Sequence, residues 1–422
     1  FIMKYNFSKK YNIVLIFLTL YVSLIVGFFF DENLNLGAKP DWFFGDIPVI
    51  EAFSADLKKT LINYDFYGHR HSPVYLIFLS FLKSIGFDFD LIRFIHLNLS
   101  ILLIYFFYKC LSIKFNNIEK NLLLIFSFSI FLSPTFRSLA IWPDTRIIGL
   151  LFFTIAILEF LKYLKYKKNI YVWKNTIFLI FSSYISPNFS LFSIFFAYHY
   201  LKEGNFKNLF FLYVFCLLSS LPVFYYIFIL DVNFLMVNTP GEIAGENISL
   251  SFNISDKILI ISSIVLFHLI PFLLNKVFFY KMIKFFKNEF LIVSLIFLIL
   301  LYFFNYQISY TGGGIFFQIS NLFFENNIFF YFVSFISLIL LFFFIKNNLN
   351  NFLIFLLLII SNIQNTIYHK YYDPLIMIMF FSIIIIPESL SFFNKRKNIF
   401  LIYIFYILYI FSRIVKNNLL NI

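Results

Sequence analysis

Two carboxylates, Asp31 and Glu32, follow directly on the apolar run that ends in Phe28-Phe29-Phe30. Acids at such a boundary can take a proton from an acceptor hydroxyl, or hold a divalent cation. If the run is a helix, the pair stands at its C-terminal end, where the helix dipole disfavours negative charge. The plainer account is that any helix leaving a membrane must meet polar residues. A third acid, Asp144, lies in Pro143-Asp144-Thr145-Arg146, with Arg137 seven residues before it. Pro143 and Asp144 suit the first turn of a helix, which is a sufficient structural reason for both. An acid between two guanidiniums also fits an ordinary ion pair or half of a phosphate site.

His69-Arg70-His71-Ser72-Pro73 puts three basic groups in a row. They serve either as an anchor on an anionic lipid surface or as contacts to a substrate phosphate. Two histidines two residues apart, with no third ligand close by in sequence, do not make a zinc site. Tyr368-His369-Lys370-Tyr371-Tyr372-Asp373-Pro374 reads as an aromatic interface belt in which Lys370 is a further cation for a phosphate. Gly312-Gly313-Gly314 lacks the following Lys of a nucleotide loop and is expected to be a turn. Asp31, Glu32 and Asp144 are thus the candidate catalytic acids. Arg70, Arg137, Arg146, Lys370, His69 and His71 are the candidate phosphate contacts.

The elements that must position these residues are membrane helices. Of 422 residues 61% are hydrophobic and 13% charged, a balance that excludes a water-soluble domain. The expected fold is all-α and polytopic, with thirteen spans near 11–30, 91–111, 121–139, 145–161, 174–186, 188–201, 208–230, 257–275, 289–304, 328–345, 351–367, 374–390 and 399–412. The whole chain, 1–422, is read as one transmembrane domain. Residues 72–86 are too short a stretch to cross and are expected to lie along the interface within a long first outer loop, 31–90. Further outer loops are expected at 231–256 and 305–327. The first span follows Lys4, Lys9 and Lys10 and lacks a small-residue cleavage site, so it is read as uncleaved, with the N-terminus cytoplasmic.

With this topology the cytoplasmic side holds 21 of the 33 Lys and Arg and 5 of the 21 acids. The distribution obeys the positive-inside rule and accounts for the net charge of +12 without nucleic acid as a partner. Mid-span positions carry no Asp, Glu, Lys or Arg, which argues against ion-coupled transport. The two cysteines, Cys110 and Cys216, sit in or beside apolar segments and offer no disulfide framework.

The order of these features resembles the membrane glycosyltransferases of the GT-C type, particularly the bacterial relatives of protein O-mannosyltransferases and aminoarabinose transferases. The likeness rests on Asp31-Glu32 after the first span, the long first loop with His71-Ser72-Pro73 before a short amphipathic helix, and Arg137 with Pro143-Asp144. A looser match is Lys370-Tyr371-Tyr372-Asp373-Pro374, where the family more often has Arg. Ser186-Pro187-Asn188 stands where relatives often show Lys-Pro or Lys-Gly.

The resemblance implies an inner-membrane enzyme of cell-envelope glycan biosynthesis with its active face outside. It would move a sugar from a polyprenyl-phosphate donor to a lipid, glycan or protein acceptor, with inversion. Asp31 would be the general base. Asp144 would orient the acceptor or, with Asp31, hold a divalent metal ion, the one conditional cofactor. The competing readings are an O-antigen polymerase or ligase and a non-enzymatic transporter of lipid-linked glycans.

Overall fold

A computed structural model describes residues 2–69, 71–203, 206–232, 253–307, 312–346, 348–361, 366–385, 392–393 and 396–419. Side chains of residues 2–11 are outside this set, as are Arg70 and most of the expected loop 231–256. Helix makes up 84% of the structure. Among the described residues there is no strand, only an isolated antiparallel bridge between Gly312 and Tyr368. The all-α reading and the membrane character both hold. Among the described residues eight helices are long and apolar enough to cross a bilayer, and a ninth crossing arises if the bent pair Lys120–Leu132 and Pro134–Ile141 counts as one.

The chain divides into two compact units, Phe1–Glu246 with Tyr403–Ile422, and Asn247–Ile402. In the first unit the helix Thr145–Tyr166 is central, and 83% of its most apolar window is buried. It is apolar all round, as a helix surrounded by others must be. Phe89–Lys114 and Asn169–Ile185 pack along it. Close approach to the latter needs Gly149, where a Cβ would lie 2.6 Å from Ser186 Cβ.

Side-chain contacts fix the direction of each pass. Arg93, near the start of Phe89–Lys114, reaches Asp31 beyond the end of the first helix, Ile2–Phe29. Ser72 donates to the Tyr184 carbonyl, and Tyr226 donates to that of Leu61. At the opposite end Tyr163 donates to Glu203, which also pairs with Lys167. Residues 187–202, a short 3-10 turn followed by the helix Ser193–Lys202, therefore run from one end of the unit to the other. The last helix, Arg396–Leu419, ends beside the end of the first: Arg413 donates to the Asn35 side chain and Asn417 to the carbonyls of Asn33 and Leu34.

The stretch expected along the interface is a separate helix, Pro73–Ser84, capped by Ser72 and closed at Gly86, whose φ is +98°. Tyr75, Leu76, Leu79 and Leu82 are buried while Phe78 and Phe81 are exposed, so the helix is amphipathic.

In the second unit the central helix is Ile254–Leu273, again 83% buried over its most apolar window. Gly314–Phe324, Ile328–Ile345 and Leu349–Ile360 pack on it. The triple glycine is a turn of close approach. Gly313 and Gly314 have φ of +86° and +76°, and a Cβ on Gly314 would stand 2.9 Å from the Ile264 side chain.

Candidate functional site

The first helix ends in a six-residue closing motif. Glu32 N–H bonds the Gly27 carbonyl at 2.8 Å, Asp31 N–H approaches that of Phe28 at 3.3 Å, and Asp31 takes a left-handed φ of +53°. Glycine is the residue that adopts this position cheaply. A carboxylate here bears both the backbone strain and the unfavourable end of the helix dipole.

Two cations answer it. Lys39 Nζ lies 3.0 Å from Asp31 Oδ2, and Arg93 Nη2 lies 3.1 Å from Oδ1. Arg93 is buried, is shared with Asp90 at 3.0 Å and stacks 3.8 Å from the Trp142 ring centre. The Asp31 side chain keeps 44% of its surface and Lys39 keeps 38%. Burial pushes the Asp31 carboxyl up, but the hydrogen bonds and charges of Lys39 and Arg93 outweigh it and hold the group below its ordinary value.

Glu32 is held differently. Arg137 grips it with two parallel bonds, Nε to Oε1 at 2.6 Å and Nη2 to Oε2 at 2.7 Å, and also bonds the Ser23 hydroxyl and carbonyl. Trp142 donates its indole N–H to the Glu32 carbonyl at 2.9 Å. Arg137 reaches this point because the polypeptide breaks at Ser133-Pro134, where the two helices bend by 69°. The short helix Pro134–Ile141 is buried along its whole length, and its Ser138 hydroxyl accepts from Asn35 N–H.

A second cluster gathers on the loop helices. His69 Nδ1 accepts from His71 N–H at 3.2 Å, so its Nε2–H donates to Asp46 Oδ1 at 2.6 Å. Both side chains are buried. Tyr64 donates to the His71 carbonyl at 2.7 Å. Arg146 can only donate, so His71 Nε2 accepts from it at 3.1 Å and His71 Nδ1–H faces Thr145 Oγ1, also at 3.1 Å. Asp144 caps the Thr145–Tyr166 helix by accepting from Arg146 N–H at 2.7 Å, the capping role its sequence position suggested.

Of the predicted residues, Asp31 and Glu32 are neighbours in separate ion pairs, and His69, His71, Asp144 and Arg146 form the second cluster. Asp31 pairs with Lys39 and Arg93, whereas Asp144 lies 3.9 Å from Arg146 and its charge is felt at Asp46. Lys370 belongs to the second unit, where it lies 5.5 Å from the Tyr368 ring centre. Arg70 lies outside the described residues.

Arg93, Lys39 and Asp46 were missed from sequence. Asp90 and Arg93, three apart at the mouth of an apolar run, were a usable signal for the first. Nothing local marks Asp46, which the fold alone brings to His69.

Burial raises Asp46 to about 6 against the pull of the His69 hydrogen bond and charge, and the carboxylates of Asp144 and Asp41 push the same way. Between its unfolded and folded values the folded state holds a proton that the unfolded state has lost. The Asp46 contribution is therefore fully present below the ordinary Asp range and is lost as pH rises through about 6. We expect the folded protein to lose on the order of 2 kcal/mol from this group between about pH 4 and pH 7, and Asp46→Asn to abolish that component. Denaturation of both proteins across this range checks it; parallel curves would refute the assignment.

No family model, curated protein or solved structure matches the chain.

Proposed function

We propose that the protein is a multi-pass membrane glycosyltransferase that moves a sugar from a polyprenyl-phosphate donor to an acceptor hydroxyl, with Asp31 as general base. The observation that carries this reading is the placement of Asp31. It is a half-exposed carboxylate in a glycine-like backbone position, fixed by a buried arginine on one side and approached by an exposed lysine on the other. Strain kept at a polar boundary residue points to a role for its side chain.

The proposed step follows from that geometry. Asp31 takes the proton as the acceptor oxygen attacks the anomeric carbon from the face opposite the phosphate, and the polyprenyl phosphate departs. Arg93, held by Asp90 and Trp142, keeps the carboxylate aimed. Lys39 exchanges Asp31 for the donor phosphate, which places positive charge on the leaving group and raises the basicity of Asp31 in the same movement. The prenyl chain stays in the bilayer beside the first helix. Glu32 and Arg137 hold the turn in shape, and the Asp46, His69, His71, Asp144 and Arg146 cluster shapes the acceptor side.

We place this end of the first unit on the outer face of the cytoplasmic membrane, with thirteen crossings. The first and last helices end together, so the number of crossings is odd, a condition that nine or thirteen meets. The directed passes at 169–185 and 187–202 support the larger number. Reporter fusions at Lys167 and Lys284 should both read as cytoplasmic, and an exterior signal at Lys167 would reverse the orientation.

The function is tested in membranes supplied with labelled polyprenyl-phosphate sugars. The wild-type protein should release free polyprenyl phosphate in step with acceptor glycosylation. Movement of intact donor across the bilayer without cleavage would favour a transporter instead.

A further inference from the structure

We propose that His268, His369 and Asp373 in the second unit form a binding site for one divalent transition-metal ion of the zinc class. Their three ligand atoms all lie within 4.8 Å of one another, and all three side chains are buried. Among the described residues this is the one group of His, Cys, Asp or Glu close enough to share a cation. In the sequence His268 is a lone histidine inside an apolar run, with no local motif to mark it.

The geometry of the pair is that of two ligands on one ion. His268 Nε2 and His369 Nε2 stand 3.1 Å apart, with ring centres 5.0 Å apart. Two imidazoles on a tetrahedral zinc, each at about 2.0–2.1 Å, have their nitrogens about 3.3 Å apart. A single proton between the two nitrogens would account for that contact, but it leaves Asp373 unexplained. The Asp373 residue is 2% exposed, and neither of its carboxylate oxygens has a hydrogen-bond partner. An ionised carboxylate so placed is costly unless a cation answers it.

The fold presents the ligands from two rigid directions. His268 comes from the buried central helix Ile254–Leu273. His369 and Asp373 come from one turn of chain, closed by Asp373 N–H on the His369 carbonyl at 3.2 Å, which puts the two side chains four residues apart on one side. That turn is pinned by Gly313 N–H on the Ile367 carbonyl at 2.9 Å, by the Gly312–Tyr368 bridge and by Ile367 N–H on the Tyr306 hydroxyl. Gly314, packed on Ile264 one helical turn before His268, sets the distance between the two ligand-bearing segments. The glycine run thus has a positional role beyond flexibility.

Two imidazoles and one carboxylate select a borderline divalent ion over calcium or magnesium, which favour all-oxygen shells. Three protein ligands leave a fourth tetrahedral position for water or a substrate oxygen.

The test uses the full chain in detergent or nanodiscs, stripped with chelator, then titrated with Zn²⁺ alone, with Mg²⁺ alone, and with Co²⁺ as a spectroscopic probe. We expect one Zn²⁺ per chain, a Zn²⁺-dependent rise in Tm, the visible absorption of tetrahedral Co²⁺, and no saturable response to Mg²⁺. Asp373→Asn, which keeps shape and removes charge, should weaken Zn²⁺ binding by at least about tenfold. His268→Ala with His369→Ala should abolish it. Failure of the wild-type protein to bind Zn²⁺, or equal binding by Asp373→Asn, overturns the site. Neither readout depends on sugar transfer, so the two proposals stand or fall separately.

Discussion

Asp31→Asn should yield a folded protein whose rate of sugar transfer is lower by about 10²–10⁴-fold, the usual contribution of a positioned general base. The fold should tolerate the change because Arg93 keeps Asp90 and the Trp142 ring. Asn is also the residue after glycine that best accepts a left-handed backbone. Asp31→Gly makes the sharper comparison. It removes the Cβ strain, a gain of about 1–2 kcal/mol, and forfeits ion pairs to a half-exposed carboxylate, a loss of about 1 kcal/mol or less each. Stability should therefore hold or rise slightly while transfer falls as far as in Asp31→Asn. Single-turnover release of polyprenyl phosphate, read beside thermal melts, separates the two effects. Transfer at the wild-type rate in Asp31→Gly would remove Asp31 from the mechanism.

Lys39 gives that mechanism its second handle. If it exchanges Asp31 for the donor phosphate, Lys39→Met weakens donor binding and slows the chemical step together, because the departing phosphate then lacks the positive charge that stabilises it, even though Asp31 itself becomes more basic. Arg93 has no such freedom. It is buried and tied to Asp90, Asp31 and Trp142, so its contribution is aim.

Hydropathy made the helical, membrane-embedded class readable, because a bilayer leaves few other ways to satisfy the backbone. It also marked the separate helix after Ser72-Pro73, where an N-cap and proline precede a stretch too short to span. The pairings were less legible. Asp31 and Glu32 are adjacent and chemically alike, yet the break at Ser133-Pro134 delivers Arg137 to Glu32, while Arg93 and Lys39 go to Asp31. That sorting depends on where a helix bends, which composition does not encode. Asp46 and His268 were silent for a related reason: each lacks a local motif and acquires a partner 23 and 101 residues away only through packing. Asp144 was legible as a cap because capping is local.

The other large effect is expected on stability, and it falls on the residue next to Asp31. Arg137 is about 5% exposed and Glu32 about 21%, and their two-bond pair joins the end of the first helix to the buried helix Pro134–Ile141. Removing one member strands the other. Breaking a buried pair in this way typically costs about 3–5 kcal/mol, and the partial exposure of Glu32 sets the expected loss for Arg137→Met near about 3 kcal/mol. Glu32→Gln keeps one acceptor for the guanidinium and should lose less. The double variant Glu32→Leu with Arg137→Met leaves neither charge uncompensated and should recover part of the loss, so a double-mutant cycle with Glu32→Leu and Arg137→Met as its single variants reads the pair directly. Denaturation in mild detergent measures the wild type and the four variants. If Glu32→Gln instead melts like the wild type and abolishes transfer, the general base is Glu32, and the strained backbone of Asp31 serves to place its neighbour.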